Sequence, residues 1–347
     1  MAESSIEWTD YTFNPWRGCA KVAGNPGCAH CYAEVNYSVK MHGIKWGEEH
    51  QGGTRVVPAN GAYRQLSRWN AKAKVAGEPA IVFSDSLCDL FEDWQGAMLS
   101  HDAQRILWCH ECFVYFRAGD CNGCCTFCKS NWSTVPATAE HIRRFFFCHV
   151  DAMPWLRFLV LTKRPENVAN LWPTVIREGG PTAERYRGNV WLGTSFSDQT
   201  SCERWLPELL KLRDLAPVLF ASVEPLVGPV DLSTWLKCRC GEPPLEEGEH
   251  CEGCLMGPPH WIIVGGESGP QARPCNIQWV RDLVGQCQAA DVPCFVKQLG
   301  SNVTDEPELL GEHDDRDKYA LCYSHPKGGD PSEWPEDLRV RQFPQST

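Results

Sequence analysis

The sequence predicts an α/β fold: a regular barrel of parallel strands broken by two metal-stapled excursions. Three observations predict it. Short apolar runs that end in polar residues recur along the chain, several of them about thirty residues apart. Amphipathic helical segments fall between them, and the two intervals longer than that period each contain a cysteine cluster. Strands that alternate with helices give βαβ units and hence a parallel sheet or barrel.

Taken in order, the runs are AIVFSDS (80–86), RFLVLTKR (157–164), VWLGTSFSD (190–198), PVLFASVEP (217–225), WIIVGGESG (261–269) and PCFVKQ (293–298). Continuous apolar runs of four to six residues, rich in Val, Ile, Leu and Phe, read as strands buried on both faces, which is the parallel-sheet pattern. One helix follows Asp198, with Trp205, Leu206, Leu209 and Leu212 on one face. Another follows Asn276 as N-cap, with Ile277, Val280, Leu283, Val284 and Cys287 at helical spacing. The intervals 80–157 and 217–261 are the long ones and hold the excursions. The segment after 300, rich in Asp, Glu, Gly and Pro, is expected to be irregular and partly exposed.

Composition narrows the function class. With 43% hydrophobic and 22% charged residues, the chain is of globular and not disordered type. No apolar run reaches the ~20 residues of a membrane span, and MAESSIEWTD has no signal-peptide character, so a cytoplasmic protein without membrane partners is expected. The net charge is −11, but residues 301–337 carry eleven acids against three bases, so the rest is near neutral. That balance argues against a protein that coats nucleic acid by charge alone, and leaves room for a local basic cleft.

Twenty cysteines are the anomaly. A cytosolic chain does not keep a disulfide framework. Cys88, Cys148, Cys202, Cys287, Cys294 and Cys322 stand alone and read as buried small hydrophobes. Thirteen of the others cluster at ligand spacing: Cys19, Cys28 and Cys31; Cys109, Cys112, Cys121, Cys124, Cys125 and Cys128; Cys238, Cys240, Cys251 and Cys254. Three clusters point to three metal centres.

In parallel barrels the working residues lie at the C-terminal strand ends. Those ends supply Ser84 and Asp85; Thr162, Lys163 and Arg164; Thr194 and Ser195; Ser222 and Glu224; Gly265, Gly266, Glu267 and Ser268; Lys297 and Gln298. Single polar groups there also serve as helix caps. Glu224, Glu267 and Lys163 need more, because a charge just past a buried strand requires a partner or a ligand.

The first cluster lies in NPWRGCAKVAGNPGCAHCYAE (14–34), a Gly- and Pro-rich loop after a first strand. Three cysteines fall short of a four-ligand zinc site unless His30 completes it; they suffice for three irons of a [4Fe–4S] cluster, leaving the fourth iron open. A three-cysteine loop after the first strand of a parallel barrel, with a ring residue before the last cysteine, resembles the radical S-adenosylmethionine superfamily. The segments IEWTDYTFNPWRGC, GCAHCYAE, FSDSLCDLF, LVLTKRPE, VWLGTSFSDQ, SVEPLVGPVDL, WIIVGGESGPQARP and FVKQLG are similar, in order, to those of a phage and prophage family in that superfamily. The spacing departs from the superfamily's commonest C-x3-C-x2-C, being C-x8-C-x2-C here.

The resemblance implies a partial (β/α)6-type, TIM-like barrel over residues 1–300, with insertions at 105–150 and 236–258 and an acidic extension over 301–347. It implies that Cys19, Cys28 and Cys31 ligate the cluster, whose open iron takes S-adenosylmethionine, and that His30 packs near the adenine. Gly265, Gly266 and Glu267 resemble the element that contacts the methionyl amine, although they follow a late strand; Ser84 and Asp85 are positional alternatives. Lys163 or Arg164 would meet the methionyl carboxylate, and Ser195 and Glu224 the ribose. The implied activity is hydrogen-atom abstraction by a 5′-deoxyadenosyl radical, with an electron donor such as a flavodoxin or ferredoxin. The expected target, from the phage relatives, is an amino-acid-derived group on a hypermodified thymidine in DNA, rearranged as an isomerase or mutase would do it, in the host cytoplasm.

Cys238, Cys240, Cys251 and Cys254 have zinc-ribbon spacing. In the 109–128 cluster, Cys109 and Cys112 pair with either Cys121 and Cys124 or Cys125 and Cys128, and the metal is zinc or an auxiliary iron–sulfur cluster. The surrounding aromatic and basic residues read as the mini-core of the insertion or as a base-stacking surface. Two further readings remain: a repair lyase resembling spore photoproduct lyase, and a non-catalytic, zinc-stapled nucleic-acid-binding protein.

Overall fold

In the computed structural model, residues 6–37, 44–120, 125, 127–129, 134–177, 180–181, 184–237, 257–305, 320–321 and 323–345 are described. Among the described residues the main sheet is parallel and has seven strands. They are β1 (Tyr11–Phe13), β2 (Ala80–Ser84), β3 (Leu156–Thr162), β4 (Val190–Phe196), β5 (Val218–Val223), β6 (Trp261–Gly265) and β7 (Cys294–Gln298), and their order in the sheet is their order in the chain. The six apolar runs thus all become strands, and the short β1 adds a seventh. The chain divides into two compact units. One comprises Met1–Val22, Ala33–Trp191 and Asp214–Pro217; the other Ala23–Tyr32, Leu192–Arg213 and Val218–Thr347.

In the first unit β2 pairs with β1 (Val82 opposite Tyr11) and with β3 (Val82 opposite Phe158). Alternate side chains of a strand point to opposite faces, and here both faces are covered, so Val82, Phe158, Leu159 and Val160 are all buried. Besides the short helices α1 (Tyr32–Tyr37) and α4 (Pro165–Leu171), the chain forms α2 (Arg64–Ala76), which lays Trp69 flat on Tyr11 at 4.3 Å between ring centroids. Helix α3 (Ala139–Asp151) follows Thr138, whose hydroxyl accepts from the His141 amide, and buries Ile142, Phe145, Phe146 and Val150 at helical spacing. Phe146 meets Phe13 and Phe158 at 6.0 and 5.8 Å. A burial of this kind contributes about 1.5–3 kcal/mol per aromatic side chain. The first excursion is a three-stranded antiparallel sheet of Ile106–Cys109, Val114–Arg117 and Thr134–Pro136.

In the second unit β5, β6 and β7 pair in parallel, with Phe220 opposite Trp261 and Ile262 opposite Cys294. Helix α5 (Gln199–Leu210) is capped by Asp198, which accepts from the Ser201 amide. Trp205, Leu206 and Leu209 form its buried face, while Leu212 is buried just beyond its end. Helix α6 (Ile277–Ala289) is capped by Asn276 and buries Ile277, Val280, Leu283, Val284 and Cys287, the face expected. The described part of the extension is largely irregular and partly exposed, and is anchored at a few points: Val303–Thr304 pairs with Cys275–Asn276 and with Ala320–Leu321, and Trp334 and Leu338 are buried.

Candidate functional site

Within the first unit, the strand ends gather buried charge. Arg164, just past β3, donates to Asp89 Oδ2 at 2.9 Å and to the Ala20 carbonyl at 2.9 Å, and its Nη1 lies 3.6 Å from Cys19 Sγ. Arg55 is fully buried and makes a bidentate pair with Glu92, both contacts at 2.6 Å, while its guanidinium lies over Trp94. Glu92 Oε1 also accepts from the Ala20 amide at 2.9 Å. Ala20, the residue after Cys19, is therefore held at its N–H by Glu92 and at its C=O by Arg164. Asp89 accepts in addition from Thr162 Oγ1, the Lys163 amide and the Phe91 amide. Arg143 of α3 reaches the Leu90 and Glu92 carbonyls, and burial pulls it down to about 10. Burial and Glu92 raise the Cys19 thiol above its ordinary value, with Arg164 opposing them.

Ser84 and Asp85 at the end of β2 are both buried, and among the described residues Ser84 Oγ and Asp85 Oδ2 have no hydrogen-bond partner. Asp85 has φ 79°, a left-handed conformation that is uncommon outside glycine. Its carboxyl is raised well above the usual range by burial and then by Asp89. The Cys88 thiol is 3.7 Å from Asp85 Oδ1, and Asn14 fastens the turn through Ser86 Oγ and the Leu87 amide. Lys163 is half-buried and makes no ion pair among the described residues, whereas Arg164 is committed to Asp89 and Glu92.

The second unit holds Cys28, His30 and Cys31. Cys28 is buried at the end of the 3-10 turn Pro26–Cys28, which Asn25 caps by accepting from the Gly27 amide; the Asn25 amide group in turn donates to the Ser195 carbonyl. Arg273 makes a bidentate pair with Glu267 (2.9 and 2.7 Å) and donates to the Pro26 carbonyl at 3.0 Å. His30 Nδ1 is 3.4 Å from Glu267 Oε2. Burial raises the Glu267 carboxyl, but hydrogen bonds from Arg273 outweigh it and hold the group below its ordinary value. Glu224 pairs with Lys297 at 3.0 Å, accepts from Ser222 Oγ at 3.0 Å, and receives the Ser195 hydroxyl on its carbonyl. Gly265 packs against the Glu224 carboxylate, and Gly266 lies against the Leu299 backbone carbonyl, where no side chain fits. The charges past β5 and β6 thus find protein partners.

The insertion brings four cysteines together: Cys109, Cys112, Cys125 and Cys128 have sulfurs within 4.8 Å of one another. These four are the second of the two sets open from the spacing. Cys121, Cys124, Cys238, Cys240, Cys251, Cys254 and Cys322 lie outside the described residues. Of the remaining solitary cysteines, Cys202, Cys287 and Cys294 are buried as expected, while Cys88 and Cys148 are partly buried.

Sequence reasoning missed Arg55, Asp89, Glu92 and Arg273. The available signal was DLFEDW (89–94), an acidic run whose charges alternate with residues too apolar for a solvated face. No helix among the described residues is long and apolar enough to cross a membrane.

The chain matches the model of DUF5131, a family described as a protein of unknown function, over residues 3–110 and 126–327, and it belongs to that family. No curated protein and no solved structure matches it.

Proposed function

We propose that this member of DUF5131 is a radical S-adenosylmethionine enzyme in which Cys19, Cys28 and Cys31 hold a [4Fe–4S] cluster. One observation carries the reading. The three cysteines follow the C-terminal end of the first strand of a parallel sheet, and the second strand ends in a buried carboxyl, Asp85, with one oxygen that has no partner among the described residues. Orphaned buried oxygens fit a missing donor, since leaving them unsatisfied costs about 1–3 kcal/mol each. The methionyl ammonium is such a donor. This supports Asp85 and Ser84 as its ligands over Glu267, whose oxygens are taken by Arg273. By the same logic Lys163 receives the methionyl carboxylate, and Arg164 positions the Cys19 loop. When bound and reduced, the cluster supplies cleavage of the sulfonium to a 5′-deoxyadenosyl radical, chemistry that belongs to the cofactor. His30, Ser195 and Glu224 are kept as contacts to adenine and ribose, and TIM-type closure of the sheet is part of this proposal.

The substrate in this reading is an amino-acid-derived group on a hypermodified thymidine of phage DNA, and the electron donor a flavodoxin or ferredoxin. A base in duplex DNA has to be flipped to reach such a centre. Binding to DNA should then weaken steeply with salt, whereas a free nucleotide should show little salt dependence.

The test is anaerobic reconstitution with iron and sulfide, reduction with dithionite and addition of S-adenosylmethionine, with 5′-deoxyadenosine quantified against Cys28→Ala. Product that depends on Cys28 is expected. No product, with zinc and no iron at the first cluster, would leave a zinc-stapled binding protein instead.

A further inference from the structure

We propose that Cys109, Cys112, Cys125 and Cys128 bind a single tetrahedral zinc ion in a closed structural site, not an iron–sulfur cluster, and that Cys121 and Cys124 are not its ligands. This centre is separate from the three-cysteine loop, and the inference stands whether or not the radical chemistry does.

The two cysteine pairs are built alike. The Phe113 amide donates to the Cys109 carbonyl at 2.9 Å, and the Lys129 amide to the Cys125 carbonyl at 3.0 Å. Each pair also turns a backbone amide onto its first sulfur: Cys112 N to Cys109 Sγ at 3.5 Å, and Phe127 N to Cys125 Sγ at 3.4 Å. The residue after each second cysteine is left-handed, with φ 52° at Phe113 and 61° at Lys129. Neither a phenylalanine nor a lysine enters that region readily. Two equivalent turns therefore deliver four sulfurs to one point, with amide donors aimed at sulfur as a thiolate requires.

Sulfur spacing fixes what fits between them. A tetrahedral ion with Zn–S bonds of about 2.3 Å has S···S edges of about 3.8 Å. Cys109 Sγ and Cys128 Sγ are 3.7 Å apart, and every other pair is within 4.8 Å. In an iron–sulfur cluster the four thiolates are shared over two or four irons with inorganic sulfide between them, so the sulfurs across the core lie farther apart than all six distances here allow. Four thiolates also leave no open position, the mark of a structural zinc site. The insertion needs such a staple. Its own buried cluster consists of Cys109, Phe116 and Cys125, with Leu107, Cys112 and Val114 packed against it, and two of its three buried members are ligands. A core that small does not hold a fold by apolar burial alone.

The experiment is metal analysis of the full-length protein and its variants. Cys109→Ser/Cys125→Ser should lose one equivalent of zinc per chain with iron unchanged, and Cys121→Ser/Cys124→Ser should lose none. Retention of zinc by the first variant, its loss from the second, or loss of iron in step with the first would overturn the proposal. Cys128→His guards against simple misfolding because it keeps a ligand in place. In cobalt-exchanged protein it should shift the visible d–d absorption from a four-sulfur towards a three-sulfur, one-nitrogen pattern, and an unchanged spectrum would refute ligation by Cys128.

Discussion

Glu92→Gln should destabilise the first unit far more than the loss of one surface carboxylate would. Glu92 is buried and meets fully buried Arg55 through two contacts of 2.6 Å, with Arg164 3.6 Å away and the Ala20 amide at 2.9 Å. Removing one partner of a buried pair leaves the other charge uncompensated and costs about 3–5 kcal/mol. Glutamine keeps one acceptor oxygen, which puts the expectation at the lower end, about 3 kcal/mol. Urea unfolding followed by tryptophan emission measures it. The double variant Arg55→Met/Glu92→Leu removes both charges together and should lose less than the single variant does. A loss below about 1 kcal/mol for Glu92→Gln, the range of exposed pairs, would refute the reasoning. So would a double variant whose loss equals the sum of its singles, because groups in one network should not add. A further consequence concerns Cys19: in the double variant, which leaves the Ala20 amide without its Glu92 acceptor, the alkylation rate of Cys19 in the native protein should rise.

Asp85→Asn should stabilise the ligand-free protein at neutral pH. Because burial raises the folded-state value of Asp85, its contribution is fully present below the unfolded value near 4 and is lost as pH rises towards the folded one, so the variant's stability should fall less steeply with pH above about 4. An unchanged slope would count against a buried neutral carboxyl; asparagine tolerates the left-handed backbone there. Asp198→Ala removes the cap of α5 and should cost about 1 kcal/mol in urea unfolding, with Asp198→Asn nearly neutral. Gly266→Ala drives a methyl into the Leu299 backbone carbonyl and should cost about 1–3 kcal/mol or more, and a neutral result would mean that this close approach is absent in solution.

The strands were legible because a strand covered on both faces leaves an unbroken apolar run, as in VLFASV of β5, all six residues buried. The helix starts at Asp198 and Asn276 were legible because capping chemistry is local. By contrast, Cys121-x-x-Cys124 and Cys125-x-x-Cys128 have the same spacing, so only three dimensions could choose between them. The clamp on Ala20 was illegible for another reason: Glu92 and Arg164 lie 72 and 144 residues away, and no local pattern announces such partners. Glu267 was correctly expected to need a partner, but Arg273, six residues on, supplies it in place of a ligand.

Sheet order that follows chain order has a consequence for how the molecule is made. Each strand leaving the ribosome finds its neighbour already in place, so no slot has to be held open for a later segment, and pairing can advance from β1 to β7. An advancing sheet always presents one raw edge, a template for unwanted pairing. That edge comes to rest at β7. There the segment 340–342, which follows all seven strands, lies alongside it: the Val296 amide donates to Val340, the Gln342 amide donates to Cys294, and Arg341 bridges Phe295. Aggregation during synthesis should therefore be governed by how long β7 waits for those three residues.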